Sequence, residues 1–190
     1  MPDADIDNAV TQLIGAAFGS SGERCMALSV AVVVGDKTAD ALIAKMKKAM
    51  TDLKVGDYTD NTNDFGPLIT KEHKAKVSSC IDSAEKQGAT IEVDGRNIVV
   101  KGCEEGYFIG GTLIDRVTAD MDSYQEEIFG PVLQVIRVDS MSDAMQLIDD
   151  HKYGNGTCIF TRDGEAARYF SDNIKVGMVG INIPLPVPVS

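Results

Sequence analysis

Residues 19–29 read GSSGERCMALS. Gly22 leads through Glu23 and Arg24 to Cys25, so a thiol follows a glycine turn and stands beside a permanent positive charge. A reactive cysteine needs its thiolate stabilised by a nearby cation or by aligned backbone donors. Glycine permits the tight backbone that such donors require. A buried, inert cysteine is the plain alternative, because neighbouring residues on a strand point to opposite faces. The stretch by itself leaves both readings open.

The flanks describe the kind of fold that carries it. Ile6, Val10, Leu13, Ile14, Ala17 and Phe18 recur at helical spacing before the turn. Leu42, Ile43, Met46, Ala49, Met50 and Leu53 repeat the pattern after it, as do Val77, Cys80, Ile81 and Ala84. Thr70 suits the N-cap of that third helix and Gly88 its close. Two further helices are expected at about 141–151 and 164–174. Strand-sized apolar runs fall between them at 27–35, 89–93, 132–138, 156–161 and 178–183. EVDGRNIVV at 92–100 adds an Asp-Gly hairpin signal. Alternation of this kind predicts an α/β fold with a largely parallel sheet and helices on both faces.

With 190 residues, one domain with a full core is expected, with room for a second small one, and without a metal or disulfide staple. A net charge of −11 disfavours nucleic acid. The lysines of KMKKAM at 45–50 read as one solvated helix face. No apolar run reaches membrane-span length, so no membrane partner is expected. The acidic start MPDADIDNAV is unlike a secretion signal, which points to the cytoplasm, or to the mitochondrial matrix in a eukaryote. Cys25, Cys80, Cys103 and Cys158 form no CxxC pair, so neither a metal site nor a disulfide framework is expected. Cys80 and Cys158 sit in apolar patterns as core filler, and the glycosylation-like NGT at 155–157 carries no weight in such a chain. There is no dinucleotide-binding G-x-G-x-x-G and no phosphate-binding loop.

Three stretches, in order, resemble one family. FGSSGERCMALS at 18–29 is similar to the active-site cysteine signature of the aldehyde dehydrogenase superfamily. EEIFGPVL at 126–133 resembles that superfamily's cofactor-contacting motif, and YGNGTCIFTRD at 153–163 the strand and turn that follow. GERCMALS and GINIPLPVPVS further resemble the coenzyme-A-acylating branch, the methylmalonate-semialdehyde dehydrogenases.

The resemblance implies an NAD-dependent oxidation of a small-molecule aldehyde. The thiolate adds to the aldehyde, hydride passes to NAD, and the resulting thioester loses carbon dioxide and goes to coenzyme A. Residue by residue, it makes Cys25 the nucleophile, with its N–H as one oxyanion donor, and Arg24 the holder of a substrate carboxylate. It makes Glu127 the partner of the nicotinamide ribose and Phe129 the residue packed beside the nicotinamide. It implies a catalytic domain over residues 1–183 and an extended proline-rich tail over 184–190. The cofactor-binding domain would lie outside the chain, and the full-length protein would be a homo-oligomer. A general aldehyde dehydrogenase releasing a free acid is the rival within the class. A non-catalytic folding or interaction module is the rival outside it.

Overall fold

In a computed structural model, residues 1–185 are described. The chain opens with α1 (Ile6–Phe18), capped by the Asp5 carboxylate accepting from the Asn8 N–H, and a short 3-10 turn (Gly19–Gly22). Then come β1 (Val30–Val34), α2 (Asp36–Met50), α3 (Lys71–Lys86), β2 (Thr90–Val93) and β3 (Thr112–Asp115). The remainder is α4 (Asp122–Gln125), β4 (Val132–Val138), α5 (Met141–Asp150), β5 (Thr157–Ile159), α6 (Gly164–Asn173) and β6 (Val179–Ile181). Thr70, Ser140 and Asp163 cap α3, α5 and α6 with side-chain oxygens, which satisfies N–H groups that no helical carbonyl can reach.

Four strands form one sheet in the order β1-β4-β3-β2. β1, β4 and β3 run parallel and β2 joins β3 antiparallel. β5 and β6 make a separate parallel pair. The β4 run VLQVI is buried on both faces, as a parallel strand between helix layers must be. Leu133 and Val135 face α1 and α2, whereas Val132 and Ile136 face α3. The expected α/β class and mostly parallel sheet with helices on both faces are therefore present.

The hairpin expected over 92–100 is not. Asp94 and Gly95 do turn, with Asp94 Oδ1 accepting from the Arg96 N–H, but no strand follows. β2 pairs instead with β3, and the Gly95 N–H is held by Thr112 Oγ1. The competing partner won because Leu113 and Ile114 are fully buried, whereas Val99 is 78% exposed. The lysines of 45–50 do lie on a solvated face, where Lys45 pairs with Asp7 and Lys47 with Glu92. Of the tail expected over 184–190, residues 186–190 lie outside the described residues; Leu185 is buried against Gly156. Among the described residues, no helix is long and apolar enough to cross a membrane.

Candidate active site

The loop after α1 is built to reverse the chain abruptly. Ser20, Ser21 and Gly22 stand in succession in the left-handed region, at φ 52°, 58° and 70°. Ser21 offsets its strain by donating its buried hydroxyl to the Gly66 carbonyl at 2.7 Å. Gly22 is required twice over, because a side chain would also strike the Gly130 carbonyl. A hydrogen bond from the Ala27 N–H to the Arg24 carbonyl then closes a turn with Cys25 and Met26 at its tip.

Cys25 is exposed at that tip. Arg24 turns the other way, its Nη2 donating to the carbonyls of Gly15 (2.7 Å) and Ala16 (3.0 Å) near the end of α1. A cation there suits the negative end of the helix. Nη1 and Nε of Arg24 make no hydrogen bond among the described residues, and Arg24 borders the same cleft as Cys25. Burial distinguishes two of the other three thiols: it raises Cys80 above its ordinary pKa and pushes Cys158 up to about 11.

A second wall comes from the loop after α4. Phe129 sits at φ 56°, and α3 holds the loop by its backbone. His73 Nε2 lies 2.6 Å from the Phe129 carbonyl, which makes that nitrogen the protonated one. The same nitrogen lies 3.5 Å from Glu23, so His73 touches both walls. Lys76 donates to the Glu127 carbonyl at 2.9 Å. Both side chains are thereby left free: Glu127 is exposed with no hydrogen bond to its carboxylate among the described residues, and Phe129 is 37% exposed.

The third wall is the segment after α5. His151 Nε2 donates to the Tyr124 carbonyl (3.0 Å), and Nδ1 accepts from the Tyr153 N–H (3.1 Å). Those two contacts fix its tautomer. Beyond it, Asn155 Nδ2 donates to the Cys25 carbonyl at 2.8 Å. Lys152 pairs with Glu126 at 2.7 Å on the rim, which lowers the carboxyl's pKa and raises the amine's.

The three walls enclose a cleft of about 380 Å³ that all four residues singled out in the sequence border: Arg24, Cys25, Glu127 and Phe129. The cysteine turn and the Glu127–Phe129 loop are a hundred residues apart in the chain and meet only through the fold. Sequence reasoning missed His73, Lys76, His151 and Asn155. The one signal for Asn155 was its place in YGNGTCIFTRD, where it reads more readily as a sequon. Among the described residues, no three His, Cys, Asp or Glu side chains gather as a metal site.

The sequence model of the aldehyde dehydrogenase family matches residues 1–189. A malonate-semialdehyde dehydrogenase of Pseudomonas aeruginosa is 64% identical over the whole chain. A bovine mitochondrial enzyme, named an acylating methylmalonate-semialdehyde/malonate-semialdehyde dehydrogenase, is 48% identical over 97% of it. The chain spans 38% and 34% of the length of these two relatives. Among solved structures, the methylmalonate-semialdehyde dehydrogenase of Oceanimonas doudoroffii superposes with a TM-score of 0.97 at 74% identity, over all of this chain and 39% of that one. A betaine aldehyde dehydrogenase of Staphylococcus aureus in complex with NAD+ superposes at 0.91 with 31% identity, over 97% of this chain and 37% of that one.

Proposed function

Because the chain belongs to the aldehyde dehydrogenase family, we propose that it carries the thiol-bearing catalytic domain of an NAD-dependent, coenzyme-A-acylating semialdehyde dehydrogenase. The observation behind this reading is the single cleft that joins an exposed Cys25 to Glu127 and Phe129. The relatives named above supply the substrate class, an aldehyde that also bears a carboxylate.

Cys25 Sγ is the nucleophile. As its thiolate forms a bond to the aldehyde carbon, the carbonyl π pair moves to oxygen, beside the Cys25 N–H as one oxyanion donor. Arg24 offers Nη1 and Nε to the substrate carboxylate while Nη2 stays on the α1 carbonyls, which anchors the fork. The residues present fit a nicotinamide nucleotide. Glu127 presents an unengaged carboxylate, a natural acceptor for ribose hydroxyls, and Phe129 an exposed ring beside it. NAD, when bound, supplies a hydride acceptor. Loss of hydride from the carbon on Sγ leaves Cys25 as a thioester. The acyl group then loses its carboxylate as carbon dioxide and takes a proton from solvent on the carbon left behind. Transfer to the thiol of coenzyme A, whose proton passes to solvent, exchanges one C–S bond for another and frees the Cys25 thiolate. A thioester is a good donor to another thiol, which is why a cysteine suits acyl transfer better than a serine.

The test measures NADH and acyl-coenzyme A together, in the full-length protein that carries this chain. Malonate and methylmalonate semialdehydes should give both products in equal amounts, and Cys25→Ser should give neither at a measurable rate. NADH with free acid and no acyl-coenzyme A would leave a dehydrogenase but remove the acylating branch. NADH formation by Cys25→Ser would remove the nucleophile.

A further inference from the structure

We infer that Asn155 is a positioning residue for the nucleophile turn, an inference that rests on the reading of Cys25 as the nucleophile. The turn from Arg24 to Ala27 is anchored at its two ends. Arg24 is tied to Gly15 and Ala16, and the Leu28 N–H donates to the Ala16 carbonyl. The tip is different. Among the described residues, the only hydrogen bonds that reach Cys25 and Met26 come from Asn155, 130 and 129 residues away in sequence.

One amide nitrogen serves both contacts. Nδ2 lies 2.8 Å from the Cys25 carbonyl oxygen and 3.0 Å from Met26 Sδ, so its two hydrogens face two acceptors. The reversed amide would set Oδ1 against both, which fixes the assignment of oxygen and nitrogen. Asn155 therefore grips the peptide bond that directly follows the nucleophile. That central peptide is the one whose rotation interconverts turn types, and Met26 is not in the positive-φ region that the flipped form demands. Holding it fixes the ψ of Cys25 and the place of Cα, from which Sγ is carried.

Asn155 is itself held. The Tyr153 N–H donates to His151, and His151 donates to the Tyr124 carbonyl, so the strap bearing Asn155 is fastened to the segment that leads into Glu127 and Phe129. The amide of Asn155 thus couples the position of the thiol to the opposite wall of the cleft. An attacking atom must stand about 3 to 3.5 Å from its target, and a misplacement of about 1 Å can cost on the order of a hundredfold in rate.

The test uses Asn155→Ala and Asn155→Asp, the second of which keeps the size and removes the donor. Backbone 15N relaxation in the chain should show the amides of Cys25 and Met26 falling from rigid order parameters of about 0.85 to below about 0.6, with Ser21 and Leu28 unchanged. In the full-length protein, kcat should fall about tenfold to a hundredfold with the aldehyde KM within about twofold. A rigid Met26 with unchanged kcat in both variants overturns this inference alone. Exposure of Cys80 and Cys158 to iodoacetamide in both variants also overturns it, since Asn155 would then hold the fold and not the turn. A thiol other than Cys25 labelling first in the unsubstituted chain sinks the nucleophile reading, and this inference with it.

Discussion

Gly22 lies so close to the carbonyl oxygen of Gly130 that a side chain would strike it, so the Cys25 turn and the Glu127–Phe129 loop meet main chain against main chain. Gly22 also stands at φ 70°, where any other residue is strained. Gly22→Ala combines both penalties and should lower stability by about 2 to 4 kcal/mol. Gly15 is the contrast: it is helical and nothing lies within 4 Å of its missing Cβ. Gly15→Ala should raise stability by about 0.5 to 1 kcal/mol. Urea midpoints of the two variants should move in opposite directions. Movement the same way would contradict the contact.

The thiols should separate by pH. Burial pushes Cys158 up to about 11 and raises Cys80, and only the thiolate reacts. Iodoacetamide at neutral pH should modify Cys25 first and leave Cys158 intact. Cys158 should react only as the pH approaches its own value or as the chain unfolds. Mass-spectrometric mapping reads the order, and early labelling of Cys158 would count against its buried setting.

Arg24 has two tasks that one substitution should split. In the full-length protein, Arg24→Ala should cost about 1.5 to 3 kcal/mol of binding for a carboxylate-bearing semialdehyde and almost nothing for propanal. Arg24→Lys keeps a cation at the α1 terminus but loses the fork, so it should recover stability more than substrate preference. Equal losses for both aldehydes in Arg24→Ala would leave Arg24 as a helix cap only.

The Asp3 carboxylate gathers three donors: Thr161 Oγ1 at 2.7 Å, the Arg162 N–H at 2.7 Å and the Asp163 N–H at 3.0 Å. They hold its pKa below the ordinary carboxylate value, with the Thr161 hydroxyl as the main cause. A depressed folded pKa contributes stability that is present above the unfolded value, about 3.9, and is lost as pH falls through the folded one. Asp3→Ala should therefore melt below the unsubstituted chain at pH 7, and the two curves should converge below about pH 4. A gap that persists in acid would assign the effect to packing.

Much of this was legible in the sequence where a side chain declares its own structural task. Thr70 accepts from the His73 N–H and starts α3 at the expected residue. The helices at 6–18 and 141–150 follow their apolar spacing. β3 was not legible, because four residues buried on both faces show neither alternation nor length. The Asp-Gly pair at 94–95 misled for a related reason: it marks a turn and says nothing of what pairs beyond it. At the cleft, Arg24, Cys25, Glu127 and Phe129 stood out because their motifs name side chains. His73, Lys76 and Asn155 act on carbonyl oxygens, which every residue possesses and no sequence pattern records.

The hold of α3 on the Glu127–Phe129 loop sets which changes that segment can absorb. His73 and Lys76 stand one turn apart and grasp carbonyls two residues apart, a vernier that matches helix rise to loop spacing. Because the grasped atoms are common to all amino acids, the side chain at 127 can be exchanged without loosening the clasp; 129 is more constrained, since it stands at φ 56° and its ring packs edge-on against His73. Length is another matter. Removing one residue between them would put the next carbonyl out of reach of one clamp, whatever its side chain. The loop is thus tolerant of spelling and intolerant of counting, a combination that lets a lineage revise what its cleft recognises while the distance to the thiol stays fixed.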